Sequence, residues 1–353
     1  MHYNWKLSEA NFTKDKGKVF SCFACGGGST MGYKLAGFDV IGHNDIDPKM
    51  VEVYKANHKP KYSFLESITT FAKRKDLPKE LYELDILDGS PPCSSFSMGG
   101  NREKDWGKEK KFREGQELQV LDTLFFDFID LAKELQPKVV VAENVKGLLL
   151  GEAKKYVIEI YKAFDEAGYT CQHFLLNASK MGVPQRRERV FFICLRKDLA
   201  PKFMESVDMF TELPKLELEF NEREIVYSEI ETKERGKEIT LKKIQNVFYE
   251  INPGEGCGNF FRRTIGKETY FNYNKAHPKQ VIPTIIANND CGTFHYSKPF
   301  FLSDKELKLA GSYPLDYNFL KLKPKYLIGM SVPPLMTGKI AEQIYKQWLS
   351  KLK

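Results

Sequence analysis

Four side chains in this sequence have the types and surroundings that covalent catalysis requires. Cys93 directly follows Pro91 and Pro92. Two prolines deny helical continuation and stiffen the chain, so the thiol is expected on a rigid turn at the carboxyl end of the strand signal Leu84 to Asp88. In an open α/β sheet, ligands bind at that end. An isolated cysteine in a turn is more often a packing residue, and its partners shift the balance here. Glu143 follows the apolar run Val139, Val140, Val141 and Ala142. A carboxylate there is costly unless it is paired or functional, and pairing with an arginine is compatible with catalysis. Arg187 and Arg189 alternate in a strand-like segment, which puts both guanidiniums on one face. Such a face can bind a phosphate, a carboxylate or a base oxygen.

Positioning these groups calls for a sheet. Lys18 to Ala24 reads as a buried first strand, followed by Cys25-Gly26-Gly27-Gly28 and a helical pattern through Met31, Leu35 and Ala36. Strand, glycine turn and helix form a cradle in which backbone approaches a nucleotide-like cofactor closely. A second strand, Phe38 to Gly42, ends near Asp45, Ile46 and Asp47, 17 to 19 residues beyond Gly28. An acid so placed can accept hydrogen bonds from ribose hydroxyls. The three adjacent glycines do not match the spaced fingerprint of pyrophosphate binders. A cofactor without phosphates, such as S-adenosylmethionine, fits better than a nicotinamide dinucleotide.

Further along, a helix is expected over Met50–Asn57, a strand over Tyr62–Ile68 and a long amphipathic helix over Leu118–Leu135. A helix over Lys155–Ala167 and a strand over Tyr169–Leu176 follow. Between Cys93 and the long helix, Ser95 to Arg113 lacks core periodicity and sets six Lys/Arg against three acids. Its place after Cys93 favours a basic flap that closes on nucleic acid over an idle surface loop. From Asp198 to Val281 the chain is charged and irregular, and its stretch Gly254–Tyr273 is rich in Gly, Phe, Arg and Asn. Arg and Asn suit guanine and adenine edges. This region is read as a second, smaller, loop-rich domain. A final amphipathic helix places Leu335, Ile340, Ile344 and Trp348 on one stripe.

At 353 residues, with 42% hydrophobic and 29% charged residues, the chain is an ordinary globular sequence with ample core. A net charge of +7 permits a polyanionic partner without requiring one. There is neither a signal peptide nor a run of apolar residues long enough for a membrane span, so the cytoplasm is the expected compartment. Seven cysteines, an odd number, argue against a disulfide framework. Cys22 and Cys25 spell C-x-x-C, but no second half completes a metal site, and both are read as packing residues.

In order along nearly the whole chain, these pieces resemble the C5-cytosine DNA methyltransferases of bacterial and phage restriction-modification type. Phe23 to Gly28 matches the cofactor loop, and Asp45-Ile46 the ribose and adenine contacts. Pro92-Cys93 matches the nucleophile motif, Glu143-Asn144-Val145 the glutamate motif, and Gln185 to Arg189 the arginine motif. Leu302 to Tyr317 and Gly329 to Pro333 are similar to the segments that close the family's order. Four departures stand out. Cys25 replaces the first loop glycine, Ser94 a glutamine, Ser67 an acid that contacts the adenine amine, and Met330 an asparagine.

The resemblance implies an S-adenosylmethionine-dependent, Rossmann-like α/β fold with a mostly parallel sheet. Residues 1–197 and 282–353 would form the catalytic domain, with a target recognition domain at 198–281. It implies Phe23, Gly26, Gly27, Gly28, Asp45, Ile46, Ser67, Ile68, Pro92, Leu124 and Ser331 at the cofactor, and no metal. Cys93 would add to C6 of a flipped-out cytosine, Glu143 would act at N3, and Arg189 would hold O2 and orient Glu143. A free cysteine is only about 3% ionised at pH 7, so Arg187 or Arg189 nearby would help by lowering its pKa. Double-stranded DNA is the implied partner, with a cognate restriction endonuclease acting separately and a monomer as default. An RNA enzyme on the same scaffold, which would carry a Cys-Phe-Thr order that Cys291 to Tyr296 lacks, and a non-catalytic DNA-binding relative are the alternatives.

Overall fold

The computed structural model describes residues 1–92, 109–110, 119–120, 123–151, 153–206, 212–266, 273–288 and 292–352. Cys93 lies outside them, as does the expected basic flap at 95–113 apart from a two-residue strand, Glu109–Lys110.

Seven strands form one sheet: β1 (Lys18–Cys22), β2 (Asp39–Asp45), β3 (Tyr62–Leu65), β4 (Ile86–Gly89), β5 (Val139–Val145), β6 (Tyr169–Asn177) and β7 (Glu188–Arg196). Their order is β3-β2-β1-β4-β5-β7-β6. β1 pairs in parallel with β2 and β4, β2 with β3, and β4 with β5, whereas β5 and β7 are antiparallel. The chain runs outward from β1 to β3, then returns to the other side of β1 at β4. This reversal opens the crevice in which doubly wound sheets bind ligands.

The apolar runs that predicted strands are buried on both faces, as parallel sheets require: Val139 to Ala142 and Val190 to Leu195 are all buried. Helix α4 (Leu124–Leu135) covers one face with Leu124, Phe125, Phe128, Ile129, Leu131 and Leu135. The Phe125 ring meets Tyr156, Phe164 and Phe192 edge-on at 5.6–6.4 Å between centroids. Each such side chain contributes roughly 1.5–3 kcal/mol by burial. Tyr156 and Phe164 come from α5 (Ala153–Glu166), so α4 and α5 share one core with β7. Trp348, fully buried after the last helix, donates its indole N–H to the Lys215 carbonyl at 2.7 Å.

Two expectations are corrected. β3 ends at Leu65, and Ile68 opens a short helix α3 (Ile68–Phe71) because the Ser67 hydroxyl caps it by accepting from the Thr70 N–H at 3.1 Å. The long helix starts at Leu124, not Leu118. Cys171 of β6 and Cys194 of β7, on strands adjacent in the sheet, are joined by a disulfide, a single link rather than a framework.

Contacts divide the chain into two compact units: residues 12–176, 188–219 and 338–353 in one, and 1–11, 177–187 and 220–337 in the other. The second holds α6 (Tyr227–Ile230), α7 (Lys242–Glu250), α8 (Cys257–Ile265), α9 (Asp304–Ala310) and α10 (Pro324–Met330). Residues 177–187 join it because Gln185 bridges Ile282 and donates to the Ala310 carbonyl. Residues 198–219 stay with the sheet through Lys215 and through Glu217, whose N–H donates to Gln347. Among the described residues, no helix is long and apolar enough to cross a membrane.

Candidate active site

At the end of β1 the chain turns sharply. Phe23 and Cys25 adopt φ of 51° and Gly27 84°. For a residue with a Cβ this conformation costs roughly 1–2 kcal/mol, so the cysteine in place of the family's glycine is held in a conformation that glycine favours. What holds it is Asp45 at the end of β2, whose Oδ2 accepts from the Cys25 N–H at 2.7 Å while Oδ1 accepts from the Asp47 N–H at 2.9 Å. From α2 (Pro48–His58), the Tyr54 hydroxyl meets Thr30 Oγ1 at 2.9 Å and His58 Nε2 lies 3.3 Å from the Gly26 carbonyl. A Cβ on Gly27 would fall on the His58 ring. The loop is therefore glycine by necessity at that point.

The loop permits close backbone approach at Gly26 to Gly28, where α1 (Gly28–Leu35) begins, with the Asp45 carboxylate beside it. These residues fit S-adenosylmethionine. Phe23, half-buried against Phe128, and the half-exposed Ile46 flank the loop. Ser67 has its hydroxyl engaged as a helix cap, and Ile68 and Leu124 are buried.

The second part of the site is made by β5 and β7. Val145 faces Arg189 in the antiparallel register and Glu143 faces Phe191. Glu143 and Arg189 are thus diagonal neighbours on one face, a separation that long side chains span. Arg189 Nε lies 2.9 Å from Glu143 Oε1, with side chains only 15% and 13% exposed. Burial pulls the Arg189 guanidinium below its usual range, and the adjacent carboxylate opposes that shift. Nη1 of Arg189 donates to the Glu188 carbonyl. The carboxylate is thereby fixed in orientation.

Asn144, also on β5, links that strand to the chain before Cys93. Its buried amide donates to the Pro91 carbonyl at 3.3 Å, and its Oδ1 accepts from the Val145 N–H at 2.8 Å. The strand that carries Glu143 therefore holds the chain two residues before Cys93. Gly89, at the end of β4, lies against the Phe128 ring with no room for a Cβ. Pro92 is partly exposed.

Arg187 behaves differently from Arg189. It precedes β7, which starts at Glu188, so strand alternation does not place the two on a common face. It is 3% exposed and donates to the Ile285 and Gly329 carbonyls at 3.3 and 3.0 Å, within its own unit. Ser331 belongs to that unit too, its hydroxyl accepting from Tyr313 at 2.7 Å and donating to the Leu327 carbonyl at 2.8 Å. Two contributors escaped the sequence reading: Asp88 in β4, and His58 under the glycine loop. A carboxylate interrupting the apolar run Ile86-Leu87 is the signal that could have exposed the first.

A family model described as C-5 cytosine-specific DNA methylase matches residues 17–346. The chain belongs to the C-5 cytosine-specific DNA methylase family. Among named members, the Type II methyltransferase M.FnuDI of Fusobacterium nucleatum is 38% identical over 182 residues, 52% of this chain and 48% of that protein. M1.HphI of Haemophilus parahaemolyticus is 27% identical over 339 residues, covering 92% of this chain and 85% of its own length. The chain spans about half the length of M.FnuDI and M.NgoPII, 48% and 50%. A solved structure of a putative DNA modification methyltransferase from an E. coli prophage superposes with a TM-score of 0.66, at 19% identity, over 94% of this chain and 99% of that one. The S. pombe Dnmt2 methyltransferase gives 0.59 at 15% identity over 96% and 99%. At these identities the likeness shows the methylase fold.

Proposed function

We propose that this protein transfers a methyl group from S-adenosylmethionine to C5 of a flipped-out cytosine in a specific duplex DNA sequence, as the modification half of a restriction-modification system. The observation that carries the reading is the Glu143–Arg189 pair on the strand whose Asn144 holds the Pro91 carbonyl. An acid and a guanidinium, fixed to each other beside the chain that leads to Cys93, suit a pyrimidine edge: the acid for N3, the arginine for O2.

The cofactor, when bound, supplies an electrophilic methyl group as a sulfonium. The chain's own residues do the rest. The Cys93 thiolate adds to C6, which makes C5 enamine-like and nucleophilic. Glu143 donates a hydrogen bond or proton at N3 and relieves the negative charge that the addition pushes onto the ring. Arg189 holds O2 and keeps Glu143 oriented. C5 takes the methyl group, loses its proton to a base, and the C6–S bond breaks to release Cys93. Extruding the base from the duplex costs a few kcal/mol. Residues 198–281 are assigned to target reading, the 95–113 segment to the opened duplex, and Ser331, Ser67, Ile68 and Leu124 to the cofactor.

A duplex carrying 5-fluorocytosine tests the mechanism, because fluorine cannot leave C5 as the proton does. With S-adenosylmethionine, a denaturation-resistant protein–DNA complex should form with the wild type and not with Cys93→Ser. Methyl transfer to DNA undiminished in Cys93→Ala would overturn the assignment.

A further inference from the structure

Asp88, in β4, is 4% exposed. Its Oδ2 accepts from Ser21 Oγ of β1 at 2.7 Å and from Ser29 Oγ of α1 at 2.8 Å, and its Oδ1 from the Tyr33 hydroxyl of α1 at 3.1 Å. Ser29 and Tyr33 are four residues apart and so share one face of α1. Ser29 directly follows Gly28. From β4, which ends at Gly89, the chain continues through Ser90 to the Pro91 whose carbonyl Asn144 holds. One carboxylate thus ties the first turn of the cofactor helix to the strand that leads to the nucleophile.

Three hydroxyls satisfy the carboxylate but do not neutralise it. Burial lifts Asp88 to about 6, the three hydroxyls oppose the shift, and the Glu143 carboxylate on β5 adds to it. The Tyr33 hydroxyl, the Cys22 thiol on β1 and the Tyr54 hydroxyl on α2 are all raised in part by Asp88. Among the described residues, the charged group that acts on it is another anion, Glu143. If only packing mattered, apolar residues of similar volume would serve as well or better. A buried anion solvated by hydroxyls favours a cation nearby.

We propose that Asp88 is a positioning residue whose buried charge, set behind the glycine loop, selects the cationic sulfonium cofactor over its neutral thioether product. The proposal rests on the reading of Gly26 to Gly28 as the cofactor loop. The field of a buried charge is weakly screened, and a bound cation favours the ionised carboxylate. By linkage, protons and the sulfonium then compete, while the thioether is indifferent to them.

The experiment is calorimetric titration of the full chain with S-adenosylmethionine and with S-adenosylhomocysteine from pH 5 to 7.5, with melting curves alongside. In the wild type, S-adenosylmethionine affinity should fall about tenfold on acidification, one pK unit of linkage, with the homocysteine affinity nearly flat. In Asp88→Asn, both should be flat and the preference for the sulfonium reduced by about the same factor. Ser29→Ala, which removes one donor and leaves the carboxylate, should move the midpoint of the profile to higher pH. Unchanged preference and profile in both variants would overturn the proposal and leave the cofactor reading standing. A wild type that binds neither ligand would overturn the cofactor reading, and the proposal with it.

Discussion

Glu143 and Arg189 lie 2.9 Å apart across the antiparallel pair β5 and β7. This is the one place among the described residues where two groups expected to touch the target base touch each other. Replacing Glu143 with Gln keeps the shape and an acceptor for Arg189 but removes the ionisable proton. Methyl transfer should fall by about 100-fold or more, the usual worth of a positioned general acid. DNA binding measured by mobility shift should stay within a few-fold. Full turnover in that variant would remove Glu143 from the chemistry.

Arg189→Lys keeps the charge and loses the planar fork. A lysine cannot hold Glu143 and a base oxygen at once in the same geometry. Turnover should drop about 10- to 100-fold, with a smaller change in melting temperature than Arg189→Ala produces. Equal turnover in the lysine variant and the wild type would show that charge alone suffices.

Arg187 donates to two backbone carbonyls in its own unit. Its removal should act on stability first: Arg187→Ala leaves both carbonyls short of a charged donor, at about 1.5–3 kcal/mol for such a bond. A lowered melting temperature with kcat preserved below the transition is expected. Loss of kcat in a variant as stable as the wild type would place Arg187 among the chemical groups instead.

The pH dependence of stability has a defined sign at Asp88. Its carboxyl, raised from 3.8 to about 6, binds its proton more tightly when folded. The stability this supplies is fully present below about pH 4 and is lost as pH rises through 6. Relative to Asp88→Asn, the wild type should therefore weaken between pH 4 and 7, by at most about 3 kcal/mol for two pK units. Denaturant midpoints for both proteins across that range check it. A wild type that loses stability relative to Asp88→Asn on acidification would contradict the assignment.

Much of this was legible in the sequence, for physical reasons that differ by element. Strands β5 and β7 announce themselves because burial on both faces leaves no room for polar residues, and Glu143 stands out against that background. The glycine turn was legible because Gly27 has space for nothing larger. The face shared by Arg187 and Arg189 was misread because alternation holds only inside a strand, and β7 begins between them. Ser67 looked like the end of a strand, although a hydroxyl three residues before Thr70 is equally a helix cap. Asp88 was passed over because its meaning lies in Ser21, Ser29 and Tyr33, which only the fold brings to it. The Cys171–Cys194 link likewise depends on which strands become neighbours.

The measurement that tests the central claim most directly is transfer of labelled methyl from S-adenosylmethionine to duplex DNA and to tRNA, followed by digestion to nucleosides. The account predicts label on 5-methylcytosine in DNA, lost in Cys93→Ala and reduced about 100-fold or more in Glu143→Gln. Label on tRNA alone, or on an exocyclic amine of DNA rather than C5, would contradict it.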